Sequence, residues 1–184
     1  VFDKTGTLTH GSFEVDAVHP DTIDEKELLH LAAHVERFST HPIAVALRNA
    51  YPNEADNCVV TDTKEIAGQG ITAVINGKTV SVGNDKMMAT LGIKPHACKL
   101  CAHHTGTTVH VAIDGQYAGH ILIADQLKDD ARKAIEQLKR LGVQRTVMLT
   151  GDRDEAARQV AEQTGVTEYH AELLPADKVS HVER

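Results

Sequence analysis

Near the start of the chain, Asp3-Lys4-Thr5-Gly6-Thr7-Leu8-Thr9 sets a carboxylate beside an amine and a run of hydroxyls, at the expected end of a short strand. Open α/β sheets build their active sites at the carboxyl ends of strands. A carboxylate there can attack phosphorus and form an aspartyl phosphate, provided that nearby cations and donors offset the incoming negative charge. Lys4 and the hydroxyls of Thr5, Thr7 and Thr9 are such groups, although Asp3 alone reads equally well as a turn or helix cap. Thr150-Gly151-Asp152 and Lys178, in Pro175-Ala176-Asp177-Lys178, add a hydroxyl, a carboxylate and a second cation far along the chain. Taken singly, these are a turn with an aspartate cap and a solvated lysine.

A second set of candidates lies in the middle of the chain: Glu36, Ser39-Thr40-His41-Pro42, Gly68-Gln69-Gly70 and Gly83-Asn84. Glycine suits backbone that must approach a ligand closely, but it also suits strand ends and turns. Ser39 or Thr40 would equally cap a helix beginning at Pro42. Cys98 and Cys101, flanked by His96, His103 and His104, are zinc-ligand types in a compact cluster, without the second separated pair usual in structural zinc sites. No G-x-x-x-x-G-K-[ST] run occurs, which excludes nucleotide binding by a P-loop.

The elements that must position these residues change character along the chain. From Asp129 to Leu141 the apolar residues Ala131, Ile135, Leu138 and Leu141 share one helix face, and Gly142 sits where a helix ends. A strand at 146–149, a polar turn at Thr150-Gly151-Asp152 and a second helix stopped at Gly165 continue a βαβ rhythm, hence a parallel sheet. In the middle, Asn76-Gly77 and Asp114-Gly115 favour two-residue antiparallel hairpins. Strands are expected at 59–66, 71–75, 79–82, 107–113 and 117–123, preceded by helices at 24–35 and 42–50. The fold class expected is α/β: a doubly wound parallel-sheet domain split by an inserted antiparallel α+β unit. The split domain takes residues 1–9 and 120–184, and the insertion residues 10–119.

The chain has 184 residues and a formal net charge of −7, which gives no electrostatic reason to approach nucleic acid. Its apolar runs, such as 121–124 and 147–149, are far shorter than the roughly 20 residues that span a bilayer. The start at Val1-Phe2-Asp3 has neither an initiator Met nor a signal sequence, and reads as an internal boundary of a longer protein. Three cysteines are too few for a disulfide framework and favour a reducing, cytosolic setting.

Asp3-Lys4-Thr5-Gly6-Thr7-Leu8-Thr9 resembles the phosphorylation signature of P-type ATPases, members of the haloacid dehalogenase-like phosphotransferases. Ser39-Thr40-His41-Pro42 resembles the SxHP element of the heavy-metal pumps among them. The resemblance implies that Asp3 is phosphorylated from ATP, with Lys4, Thr5, Thr150, Gly151, Asp152 and Lys178 completing the catalytic set. It implies that Glu36, His41, Gly68, Gly70, Gly83 and Asn84 hold the nucleotide, with Asp125 fixing the hinge or the nucleotide phosphates. Mg2+ would sit at Asp3 and Thr5. The family often carries Arg where this chain has Lys128, and an ammonium does not reproduce a guanidinium fork. The implied partners are ATP, the pump's own transmembrane helices and actuator domain, and a transported heavy-metal cation, at the cytoplasmic face of a membrane. The family's GDGxND motif does not occur before Arg184, so the chain alone is expected to bind nucleotide better than it turns over. Two alternatives remain: a soluble phosphatase of the same superfamily, disfavoured because Thr5 cannot act as the general acid such enzymes carry two residues after the nucleophile, and a metal-sensing module built on Cys98 and Cys101.

Overall fold

The computed structural model describes residues 1–52, 57–96, 98, 101, 106–152 and 154–182. The chain divides into two units, Val1–Ser12 with Asp125–Arg184 and Phe13–Ala124. Both crossings fall inside long strands, β2 (Thr9–Pro20) and β7 (Gln116–Leu127). The division therefore lies a few residues beyond the points where composition alone would place it.

In the first unit, β1 (Phe2–Asp3) pairs in parallel with β8 (Val147–Leu149), and β8 pairs in parallel with β9 (Glu168–His170). Helices α4 (Ala131–Arg140) and α5 (Asp154–Thr164) place Ala131, Ile135, Ala157 and Ala161 in one core with Leu8 and Met148. The last helix, α6 (Pro175–Val182), starts at proline, whose fixed φ and missing N–H suit a first helical position.

In the second unit the sheet order is β2-β7-β6-β5-β4-β3, with β3 (Val60–Ile66), β4 (Gly70–Ile75), β5 (Lys78–Gly83) and β6 (Thr107–Ile113). The pairs from β3 through β7 are antiparallel. Asn76 and Gly77, and likewise Asp114 and Gly115, all adopt positive φ. Two consecutive left-handed residues are what a type I′ hairpin requires. Helix α1 (Glu25–Val35) is capped by Asp24, which accepts from the N–H of Glu27 at 2.9 Å. Its buried Leu28, Leu31, Ala32 and Val35 pack with Val80, Val82, Val111 and Ile121 of the sheet. Helix α2 (Pro42–Ala50) packs on α1, and the short α3 (Asp85–Thr90) buries Met87 and Met88 in a separate apolar cluster with Tyr117. The expected α/β architecture, a parallel sheet with an inserted antiparallel sheet, is what the chain adopts.

Candidate functional site

In the first unit, parallel pairing sets Asp3 opposite Leu149, so Asp3 and the turn that follows β8 lie at the same sheet edge. Residues Lys4–Leu8 form a tight turn whose reversal needs a left-handed residue, and Gly6 supplies it with a positive φ. The turn closes where the N–H of Thr9 donates to the carbonyl of Lys4. Asp3 Oδ1 accepts from the backbone N–H of Lys4 at 3.1 Å and from Lys178 Nζ at 2.7 Å. Lys178 thus reaches the carboxylate from helix α6, at the other end of the chain. Lys4 is buried, and its ammonium is paired with the carboxylate of Asp152. Thr150 is also buried, and its hydroxyl accepts from the N–H of Asp152 at 3.1 Å. Asp3, Lys4, Gly151, Thr150, Asp152 and Lys178 are therefore brought together, and Thr5 stands exposed in the turn.

One expectation changes here. Thr9 is fully buried, and its hydroxyl donates to Asp125 Oδ2 at 2.5 Å, so it is committed to holding the turn. Asp125 itself belongs to the first unit, where its other oxygen accepts from the N–H of Gly11 at 3.0 Å. Both of its oxygens are thus engaged in holding the turn, at the point where the chain crosses between the units. Lys128 Nζ donates to the carbonyl of Gly6 at 3.3 Å, a contact an ammonium makes without a fork.

In the second unit a cavity of about 290 Å3 is lined by Glu36, His41, Gly68, Gly70, Gly83 and Asn84, together with Ser39, Glu65, Gln69, Ile71 and Thr107–Val109. The six residues singled out from the sequence thus share one wall system. Ser39 and Gln69 belong to the stretches that carry those candidates, whereas Ile71 and Thr107–Val109 have no counterpart in the sequence reading, because a Thr or Ile in a strand carries no local mark of a ligand. Glu36 ends α1, and burial pushes its carboxyl up to about 7; Ser39 pulls it down through a hydrogen bond, nearby Glu65 adds to the rise, and Arg48 opposes it. A desolvated carboxyl titrating near neutrality in a cleft is a mark of functional sites. Arg48 holds the segment by donating to the carbonyls of Glu36 and Ser39 at 2.8 and 2.7 Å. The cap of α2 is neither Ser39 nor Thr40 but His41, whose Nδ1 accepts from the N–H of Ile43 at 3.2 Å. The neutral ring therefore carries its proton on Nε2.

Gly70 and Gly83 face each other across β4 and β5. A Cβ at Gly70 would lie 2.2 Å from the carbonyl of Val82, and one at Gly83 would lie 2.4 Å from that of Gln69. Close approach of protein backbone, rather than of ligand, already demands glycine at both positions. Asn84 caps α3 by accepting from the N–H of Met87 at 3.2 Å and donates to the carbonyl of Gly68 at 2.9 Å. Asn84→Ala is expected to lower stability by about 1 kcal/mol, the usual worth of such a cap, readable as a shifted urea midpoint.

Residues 1–184 match the family of haloacid dehalogenase-like hydrolases. The chain belongs to this family. It is similar at 49% identity over 185 residues to the zinc-transporting ATPase of Synechocystis sp., covering 100% of this chain and 25% of that protein. It is similar at 45% identity to the cadmium, zinc and cobalt-transporting ATPase of Bacillus subtilis, covering 100% of this chain and 26% of the relative. Among solved structures, a zinc-transporting PIB-type ATPase in the E2.Pi state superposes with a TM-score of 0.82 at 39% identity, covering 98% of this chain and 30% of that one. The catalytic domain of the CPx-ATPase CopB-B, described for its conformational changes upon nucleotide binding, gives 0.69 at 28% identity, covering 99% and 64%. The chain thus spans about a quarter of the length of these curated relatives. Over its full length it is similar to the catalytic region of heavy-metal P-type ATPases, which bears out the resemblance carried by its motifs. Among the described residues, no helix is long and apolar enough to cross a membrane.

Proposed function

We propose that the chain is the part of a heavy-metal pump that binds ATP in its second unit and takes the terminal phosphoryl group onto Asp3 in its first. The observation that carries this reading is the convergence on Asp3: Lys178 arrives from 175 residues away to hold Oδ1 at 2.7 Å. A carboxylate oxygen attacks the terminal phosphorus, the bond to the bridging oxygen breaks, and ADP leaves with the electron pair. Lys178 offsets the charge on the transferring group, while Thr150 and Gly151 offer donors to its oxygens. Lys4 acts one step removed, by fixing Asp152. Thr5 cannot relay a proton near neutral pH, so the aspartyl phosphate outlives the one that a phosphatase makes.

Magnesium takes hard oxygen ligands in near-octahedral geometry. Asp3 and Thr5 would hold it, and the donor set fits: it is all oxygen, and both hydrogen bonds received by Asp3 fall on Oδ1. Bound there, the ion would neutralise charge on the phosphoryl oxygens. The cargo would be a zinc-type divalent cation moved across a membrane, with the site at its cytoplasmic face. This is supported by 49% and 45% identity to zinc and cadmium transporters against 38% to a copper exporter of Staphylococcus haemolyticus. Transmembrane helices and an actuator domain would be the intramolecular partners.

Glu36 gives the nucleotide half a pH test. An adenine amino group donates, so the ionised carboxylate is the accepting form, and binding releases the proton that Glu36 holds below about 7. Affinity for a non-hydrolysable ATP analogue is expected to rise several-fold from pH 6 to pH 8, and Glu36→Gln should flatten that slope in calorimetry. A Glu36→Gln protein with the parental pH profile would remove Glu36 from the adenine site. Stability moves the other way: a carboxyl raised from 4.5 to about 7 stabilises the fold fully below 4.5, and that contribution is lost as pH rises through 7.

A further inference from the structure

Apart from the nucleotide cavity, the second unit gathers four soft-metal ligands from three separate stretches of chain: His19 of β2, His120 of β7, and Cys98 with Cys101 from the segment between α3 and β6. One ligand atom from each lies within 4.8 Å of the other three. Cys101 Sγ is 3.0 Å from His120 Nε2 and Cys98 Sγ is 3.9 Å from His19 Nδ1, with the two imidazoles stacked at 5.1 Å. Around a tetrahedral zinc with bonds of about 2.0–2.3 Å, ligand atoms sit roughly 3.3–3.8 Å apart, so sub-ångström to ångström shifts would close the set. His96, which the sequence places beside the cysteines, is turned to Asp21 at 2.7 Å, and His103 and His104 lie outside the described residues. Among the described residues, the imidazoles that meet the two cysteines come from the sheet.

A second layer of contacts orients His120. Asp85 Oδ1 lies 2.9 Å from His110 Nε2, His110 Nδ1 lies 2.9 Å from the hydroxyl of Tyr117, and that hydroxyl lies 3.1 Å from His120 Nδ1. A carboxylate only accepts, so His110 Nε2 donates to it. In the neutral ring Nδ1 then accepts the Tyr117 O–H, and the Tyr117 oxygen accepts from His120 Nδ1. Every link has one donor and one acceptor, and the chain leaves the lone pair of His120 Nε2 facing Cys101. Metal-bound histidines are held in this manner, with the far nitrogen donating to an outer partner.

We propose that His19, Cys98, Cys101 and His120 form a four-coordinate site for one divalent cation of the zinc class, separate from the nucleotide cavity. Two thiolates and two neutral imidazoles balance the charge of such an ion, and mixed sulfur and nitrogen donors with no hard oxygen suit zinc, cadmium or cobalt(II) over magnesium. The ion would tie Cys98 and Cys101 to β2 and β7, the two strands by which the chain enters and leaves the second unit. This assignment does not rest on the pump reading.

Cobalt(II) titrated into the reduced chain is the probe. One equivalent is expected to give the intense visible absorption of four-coordinate cobalt with thiolate charge transfer, and one equivalent of zinc to bleach it. Zinc should protect Cys98 and Cys101, but not Cys58, from alkylation read by peptide mass spectrometry. Cys101→Ser, His19→Gln and His120→Gln should each abolish the spectrum or weaken binding at least a hundredfold. Tyr117→Phe keeps all four ligands but removes the hydroxyl behind His120, and should weaken binding about 10- to 100-fold. His30→Gln, in a separate cluster with His34 and Cys58, should leave both readouts unchanged. If His120→Gln does not fold, His19→Gln decides, since that ring is less buried. Parental cobalt binding by folded His19→Gln, or a weak six-coordinate spectrum in the parent, would overturn the assignment.

Discussion

Asp3→Asn in a full-length pump carrying this region is expected to abolish acid-stable, hydroxylamine-sensitive labelling from ATP. The amide keeps the volume and can still accept a hydrogen bond at its oxygen, but it has no anionic oxygen to attack phosphorus and no charge to pair with Lys178, 2.7 Å away. Removing a nucleophile that acts with its partners as one unit costs roughly 10^4-fold or more in turnover. ATP affinity should change little, because the cavity of the second unit is built from other residues. Lys178→Ala should lower the labelling rate strongly but leave a trace, since the nucleophile survives while its charge partner is lost. Undiminished labelling in Asp3→Asn would exclude Asp3 as the acceptor, whatever happens at Lys178.

Strong local signals made much of this fold legible. Asn76-Gly77 and Asp114-Gly115 announce hairpins because few other residue pairs tolerate two consecutive left-handed conformations. The apolar face of α1 is readable because Leu28, Leu31, Ala32 and Val35 recur at helical spacing, and all four are buried. By contrast β2 is not among the expected strands although Phe13-Glu14-Val15-Asp16-Ala17 alternates apolar and polar residues; the alternation is short, and at the edge of the sheet only the Val15 and Ala17 side of it is partly covered. Helix α3 has six residues, too few for an apolar period, and its cap Asn84 was read only as a nucleotide ligand. In the site, motif matching found Asp3, Thr150 and Lys178, yet it did not reveal that Lys4 is buried against Asp152 or that Thr9 is spent on Asp125. Both facts depend on which neighbour packs over a side chain. The pairing of His19 with His120, about a hundred residues apart, is likewise set by sheet order alone.

His41 carries two roles that a single substitution would confuse, and a pair of variants separates them. Its Nδ1 caps α2, so His41→Ala should cost about 0.5–2 kcal/mol of stability whether or not nucleotide touches the ring. Loss of a hydrogen bond and of stacking would add about 1 kcal/mol each to the binding deficit, or roughly fivefold to thirtyfold in affinity for an ATP analogue. Asparagine is among the best capping residues but has no ring. His41→Asn should therefore keep the parental urea midpoint while losing nearly as much affinity as His41→Ala. Gly83→Val is a poor substitute for this test, because a Cβ there meets the carbonyl of Gln69 at 2.4 Å and would perturb the strand pair before any ligand arrived. Parental affinity in His41→Asn, measured by calorimetry on the folded protein, would reduce His41 to a helix cap and leave the nucleotide reading to stand on Glu36.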